Sequence, residues 1–170
     1  GWHVSDVEIG TSGNDILDAS SSQTNTVLMG QGGSDTVKGG SGDDYLWSTY
    51  DAGRTVLTGG AGADHFALKA SASNSVAGST TVKDFSVSEG DALVLTDVLS
   101  NFSSTRVLDQ WLSLSATPDN LSAKLRFDAT GQGVFTDSGY SVVLENFYTH
   151  HSALATASLS DWVNSGILVA

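Results

Sequence analysis

Residues 10–38, GTSGNDILDASSSQTNTVLMGQGGSDTVK, and residues 39–67, GGSGDDYLWSTYDAGRTVLTGGAGADHFA, are two blocks of equal length that superimpose without a gap. Each block opens and closes with a nine-residue unit of the form G-x-x-G-x-D-x-(apolar)-x, and an eleven-residue piece ending in T-V-L-x lies between the two units. Self-similarity at a fixed period is the signature of a repeat architecture. The nonads are Gly10–Asp18, Gly30–Lys38, Gly39–Trp47 and Gly59–Ala67, and the elevens are Ala19–Met29 and Ser48–Thr58. Counting each eleven as a nonad with a longer turn gives six half-coils, or about three full coils.

The glycines open backbone conformations closed to other residues and permit close approach to an ion. The triplet after each Asp reads as a very short strand whose central residue points inward. That gives the series Leu17, Leu28, Val37, Leu46, Leu57 and Phe66. Successive half-coils lie on opposite sheets, so Leu17, Val37 and Leu57 are expected on one face and Leu28, Leu46 and Phe66 on the other. Each buried side chain is worth about 1.5–3 kcal/mol, while ordering the backbone costs roughly 1–2 kcal/mol per residue. So thin a core needs something to bind its loops.

The charge pattern names that something. Nineteen acidic residues against seven basic ones leave a formal charge of −12, which argues against nucleic acid or an anionic membrane as partner. Asp15, Asp35, Asp44 and Asp64 all fall in one slot of the repeat, whereas a merely solubilising surface has no reason to be periodic. Ca2+ takes six to eight oxygens from carboxylates and carbonyls, more than one loop supplies but within reach of two stacked loops. Stacked loops lie two half-coils apart. Two sites are therefore expected on opposite edges: Gly10, Gly13 and Asp15 with Gly30, Gly33 and Asp35; and Gly39, Gly42 and Asp44 with Gly59, Gly62 and Asp64. Asn14 and Asp43, one position before the ligand Asp, either add oxygens or favour the turn. The turns of the elevens lack paired glycines, and only the second holds an acid, Asp51, beside which weaker half-sites stay open.

The nonapeptide resembles the calcium-binding repeat of RTX (repeats-in-toxin) proteins. Further on, TTVKDFSVSEGDALVLTDVL (80–99) resembles the segment that follows the repeats in C-terminal type I secretion modules of that family, with large bacterial adhesins nearest in texture. The resemblance implies an all-β chain: a right-handed parallel β-roll over residues 1–67, then a C-terminal cap and type I secretion signal region over 68–170. It implies Ca2+ as cofactor and a secreted or cell-surface bacterial protein. The partner it implies is the ABC transporter side of the type I secretion apparatus, engaged through the C-terminal region. In such relatives the positions of Asp84 and Asp91 close the last coil, so these two acids either add a calcium site or cap turns. The apolar tail Ile167–Ala170 serves as an uncleaved export signal, as a terminal strand, or as both.

Between these landmarks, LKASASNSVAGS (68–79) reads as a linker, and Asp97 as the cap of a short helix over DVLSNF. VLDQWLSLSA, AKLRFDATGQGVFTD and YSVVLENF read as strands of an antiparallel meander closing the open end of the roll. Trp111, Phe127, Phe135 and Phe147 form its core, Asp128–Gly131 makes a hairpin turn, and a helix spans Ser160–Asn164 with Gly166 as its stop. Cysteine is absent, so no disulfide is available. No run is apolar over the 18 or more residues of a membrane span, and no H-E-x-x-H, G-x-S-x-G or phosphate loop occurs. His65 reads as an outward strand residue and His150-His151 as a surface turn. These features predict a non-catalytic, monomeric module with no stable membrane insertion. Two other readings stay open: a polysaccharide-binding repeat module of the alginate-epimerase type, and the C-terminal module of a secreted protease or lipase.

Overall fold

Every apolar-centred triplet of the repeats forms a strand. The structure, a computed structural model, describes residues 5–70, 77–100, 108–128, 132–136 and 139–170. Its first nine strands are β1 (Asp6–Ile9), β2 (Ile16–Asp18), β3 (Thr26–Met29), β4 (Thr36–Lys38), β5 (Tyr45–Thr49), β6 (Arg54–Thr58), β7 (His65–Lys69), β8 (Ser79–Val82) and β9 (Ala92–Val94). Odd-numbered strands build one parallel sheet and even-numbered strands the other, as a chain winding into a flattened roll must. Leu17 lies beside Val37 and Val37 beside Leu57 in one sheet; Leu28 lies beside Leu46 and Leu46 beside Phe66 in the other. These are the two faces the repeat pattern predicts. All but Leu17, which lies near the open end, are buried to 1% exposure or less.

Each block spans three half-coils, so the second block starts half a turn further round the roll than the first. That is why its loops fall on the opposite edge. Winding also continues past the repeats. Val82 follows Leu57 in its column and Leu93 follows Phe66. The boundary drawn after Ala67 falls inside β7, and both sheets run through it without a break. The linker read at 68–79 is shorter than expected, because residues 68–69 end β7 and residue 79 begins β8; residues 71–76 lie outside the described residues.

The antiparallel meander is present as β10 (Leu112–Ala116), β11 (Ala123–Phe127) and β12 (Ser141–Leu144). It extends the roll as well as covering it, since β12 joins β8 in parallel. The tail forms β13 (Leu168–Val169), which pairs in parallel with β9. Among the described residues, short α-helices decorate this end: α1 (Thr96–Leu99), α2 (Phe147–His150) and α3 (Leu159–Asn164). A capping box starts α3, where the Ser158 hydroxyl accepts from the Asp161 amide and the Asp161 carboxylate accepts from the Ser158 amide. Trp111, Phe127 and Phe147 are core as expected, but Phe135 is only partly buried. Asp97 does not cap α1; its Oδ2 accepts from the Ala70 amide at 2.9 Å and so ties the helix to the end of β7. The turn expected at 128–131 is described only at Asp128, whose Oδ2 accepts from the Gln132 and Val134 amides.

Roll and cap meet at a buried hydroxyl cluster. Thr80 Oγ1 lies 2.6 Å from both Ser48 Oγ and Tyr140 Oη, and Tyr140 donates to the Thr49 carbonyl at 3.1 Å. Among the described residues no helix is long and apolar enough to cross a membrane.

Candidate metal centre

The loops that alternate with the strands stack on each other along the two edges of the roll. On one edge, loop 10–15 lies against loop 30–35; on the other, loop 39–44 lies against loop 59–64. Hydrogen bonds fix both stacks in the same way. The Asp15 amide donates to Asp35 Oδ1 at 3.0 Å, and at the equivalent position of the second block the Asp44 amide donates to Asp64 Oδ1 at 2.8 Å. One position earlier, Asn14 Oδ1 accepts from the Ser34 amide and Asp43 Oδ1 from the Ala63 amide. Asn14 and Asp43 thus hold neighbouring loops together.

The glycines permit this closeness. Gly33 has φ 107° and Gly62 has φ 125°, and a β-carbon on either would collide with the carbonyl of Gly13 or Gly42 in the loop below. At Gly10, Gly30, Gly39 and Gly59 a β-carbon would run into the carboxylate five residues on, that of Asp15, Asp35, Asp44 and Asp64 respectively. Gly42 is closed in by Thr24 and Asn25, whereas Gly13 faces open space apart from ordinary contact with Thr11.

The carboxylates are unequal in what they bind. Asp15 Oδ2 accepts from the Thr11 amide at 2.6 Å, and Asp44 Oδ2 from the Gly40 amide at 2.7 Å. Asp35 and Asp64 are each 1% exposed, and Oδ2 of each is buried with no hydrogen-bond partner. A buried carboxylate oxygen left unpaired is costly. Burial raises the Asp64 carboxyl to about 7; repulsion from Asp91, Asp44 and Asp84 adds to this, and the bond from the Asp44 amide opposes it. Burial likewise raises Asp35, with repulsion from Asp15 and Asp51.

Asp91 continues the second stack. Its Oδ1 accepts from the Asp64 amide at 2.9 Å and its Oδ2 from the Ser86 amide at 2.8 Å, the same two-handed pattern as a repeat Asp. Burial raises it to about 6, with Asp84 and Glu89 adding repulsion. Asp84 is bound as a turn cap, accepting from the Gly59 and Gly60 amides. Asp51 closes the next loop of the first stack by accepting from the Gly33 and Gly53 amides.

Among the described residues, no three His, Asp or Glu side chains converge on one point. What the stacked loops bring together is paired aspartates and backbone carbonyls, oxygen donors of the kind that suits a hard divalent cation. The histidines stand apart. His65 stacks on Tyr45 at 5.5 Å on the outer face of its sheet, and His151 is half-buried with Nε2 accepting from the Val87 amide, a contact that the reading as a surface turn missed. The repeat pattern also hid three threonines, Thr26, Thr55 and Thr80, which occupy the slot of the ligand Asp two residues before an inward side chain.

Residues 20–49 match the family model described as the RTX calcium-binding nonapeptide repeat (4 copies). No curated protein matches the chain. Among solved structures, the AlgE6R3 subunit of the Azotobacter vinelandii mannuronan C5-epimerase is similar with a TM-score of 0.54 and 24% identity, over 89% of this chain and 86% of that one. The roll is an RTX calcium-binding β-roll, and its repeats bind Ca2+. The buried, unpartnered Oδ2 atoms of Asp35 and Asp64 fit that ion.

Proposed function

We propose that the chain is the non-catalytic C-terminal module of a large secreted bacterial RTX protein of the adhesin type. Type I secretion machinery recognises its C-terminal region, and the roll folds on calcium after export. The principal ions lie between Asp15 and Asp35 and between Asp44 and Asp64, each completed by the glycine carbonyls of its two loops. Asp91, in the repeat geometry, offers a further carboxylate to the second stack, while Asp84 acts as a cap. One observation carries the reading: two equivalent aspartates, one per repeat block, bury an oxygen with nothing to bind it. Where calcium is scarce, unpaired charge and a thin core keep the chain open enough to thread a channel. Where calcium is abundant, a site at 100 times its dissociation constant adds about 2.7 kcal/mol to the folded state alone.

The test is circular dichroism of the chain first in EGTA and then in millimolar calcium. A disordered spectrum that becomes β-structured on adding calcium supports the switch; a chain already β-structured in EGTA sinks it.

A second reading, polysaccharide binding, is favoured by one feature of the outer face of the sheet containing β5. A groove of about 350 Å3 there is lined by Ile9, Met29, Gln31, Trp47, Thr49 and Lys69, with Lys69 Nζ 5.4 Å from the centre of the Trp47 ring. An apolar floor with a polar rim suits a sugar ring. Titration with alginate oligomers, followed by Trp fluorescence, separates this reading from the first.

A further inference from the structure

The slot that precedes each inward side chain runs in two columns. On one edge the register aligns Asp15, Asp35, Thr55 and Thr80; on the other it aligns Thr26, Asp44, Asp64 and Asp91. Apart from Asp15, at the open end, every one of these side chains is at most 5% exposed. The columns are continuous in space and discontinuous in charge.

At Thr55 the hydroxyl takes over the hydrogen bonding of the carboxylate, accepting the amide of the residue below it. The Asp15 amide donates to Asp35 Oδ1, and the Asp35 amide donates in turn to Thr55 Oγ1 at 3.4 Å. In the other column Thr26, which pairs with the exposed Asp6 on its open side, gives both its amide and its hydroxyl to Asp44 Oδ1, at 2.7 and 2.8 Å. Thr80 turns away from the loops into the cluster with Ser48 and Tyr140. Loop 50–55 is otherwise built like a repeat loop. Gly53 lies so close over the Gly33 carbonyl that no β-carbon fits, as Gly33 does over Gly13 and Gly62 over Gly42. What this loop lacks is the charge in its slot.

We propose that Thr55 ends the calcium column on its edge: its neutral hydroxyl preserves the stacking of loops 30–35 and 50–55 but leaves that pair without an ion. The inference rests on the assignment of the Asp15–Asp35 and Asp44–Asp64 pairs as ion sites. It makes Thr55 the residue that fixes how many ions the edge takes, and Asp51 a structural acid that closes the turn by accepting from the Gly33 and Gly53 amides.

The test counts ions on the full chain at saturating calcium by native mass spectrometry and calorimetry. Thr55→Asp is expected to bind one more ion than the parent chain, and Thr55→Ser the same number. At calcium only partly filling the sites Thr55→Asp is expected to melt at a lower temperature than the parent, because a further acid joins Asp15, Asp35 and Asp51, and saturating calcium reverses the loss. A folded Thr55→Asp chain with the parent's ion count overturns the proposal. Should Thr55→Asp fail to fold, Asp51→Asn answers the same question: an unchanged ion count is expected, and loss of an ion means that loops 30–35 and 50–55 already hold one. A parent chain that binds no calcium at all refutes the underlying site assignment, an outcome distinct from either of these.

Discussion

The amide of Asp44 donates to Oδ1 of Asp64 at 2.8 Å, while Oδ2 of the same carboxylate is buried with nothing to bind it. One oxygen of Asp64 therefore holds two coils together, and the other is the one the proposed ion would take. Asp35 repeats the arrangement with Asp15 one block earlier. The two halves of the carboxylate can be separated by substitution, because an asparagine keeps an amide-accepting oxygen and gives up the charge.

Asp64→Asn is expected to raise the calcium concentration at the folding midpoint at least tenfold, a loss of about 1.4 kcal/mol at that site. Asp35→Asn should do the same. At calcium too low to occupy the sites the sign reverses: with the buried charge gone, the variant keeps more β-structure than the parent. Asp18→Asn, at an exposed carboxylate paired with Lys38, serves as control and should alter neither midpoint. Calcium titrations followed by circular dichroism supply both numbers.

Acid should partly replace calcium. The folded carboxyls of Asp64 and Asp91 titrate near 7 and near 6, above the ordinary Asp value of 3.8, mainly because they are buried. A group whose folded pKa is raised stabilises the fold below its unfolded pKa, and that stability drains away as pH rises through the folded value. Without calcium the chain is thus expected to hold most β-structure near pH 4 and to lose it between about pH 4 and pH 7, with little further change above pH 8. Calcium binding near pH 6 should release protons, and near pH 8.5 it should not. Calorimetry in buffers of differing ionisation enthalpy reads the proton release directly; no proton release at pH 6 would contradict the assignment.

The repeat pattern made the roll readable because each nonad restates the same chemistry. Leu17, Val37 and Leu57 could be set on one face and Leu28, Leu46 and Phe66 on the other from spacing alone. The coil that follows was not readable. Val82 succeeds Leu57, and Leu93 succeeds Phe66, at a wider interval than the repeats use, and the intervening loops lack the glycine pattern. Asp91 was reached only through the resemblance of its segment, although it stands two residues before an inward leucine, the spacing of every repeat Asp. Thr26, Thr55 and Thr80 obey the same spacing, but a search for acids passes over them. Asp97 misled because its local sequence describes a helix start, while its real partner, the Ala70 amide, is brought to it by the winding of the chain.

Tyr140 joins the cap to the roll without any ion. Its hydroxyl lies beside Thr80 Oγ1 and donates to the Thr49 carbonyl, in a setting so buried that its own ionisation is pushed up to about 12. Tyr140→Phe removes one buried donor and leaves the Thr49 and Thr80 oxygens short of a partner, a loss of about 1–3 kcal/mol. The calcium-loaded melting temperature should fall while the number of bound ions stays unchanged. Loss of an ion in this variant would show that the hydroxyl cluster and the calcium columns are one unit.

Equivalent glycines of the repeat are expected to respond very differently to one substitution. Gly13 and Gly33 hold the same position of successive nonads in one column. Gly33 has φ 107° and lies over the Gly13 carbonyl with no space for a methyl group, so Gly33→Ala must strain the backbone and push two loops apart. A cost of at least about 2 kcal/mol is expected, from a left-handed backbone unsuited to alanine and a collision with main chain. Gly13 is at the open end of the stack, where an added β-carbon meets nothing closer than the Thr11 hydroxyl at 3.5 Å. Gly13→Ala should therefore cost less than about 1 kcal/mol, and at an unstrained position it can even stabilise by restricting the unfolded chain. Chemical denaturation of both variants in saturating calcium compares them. Equal costs would mean that the nonapeptide pattern needs glycine for its own loop conformation, whereas the expected inequality shows that the need arises from the loop stacked beneath it.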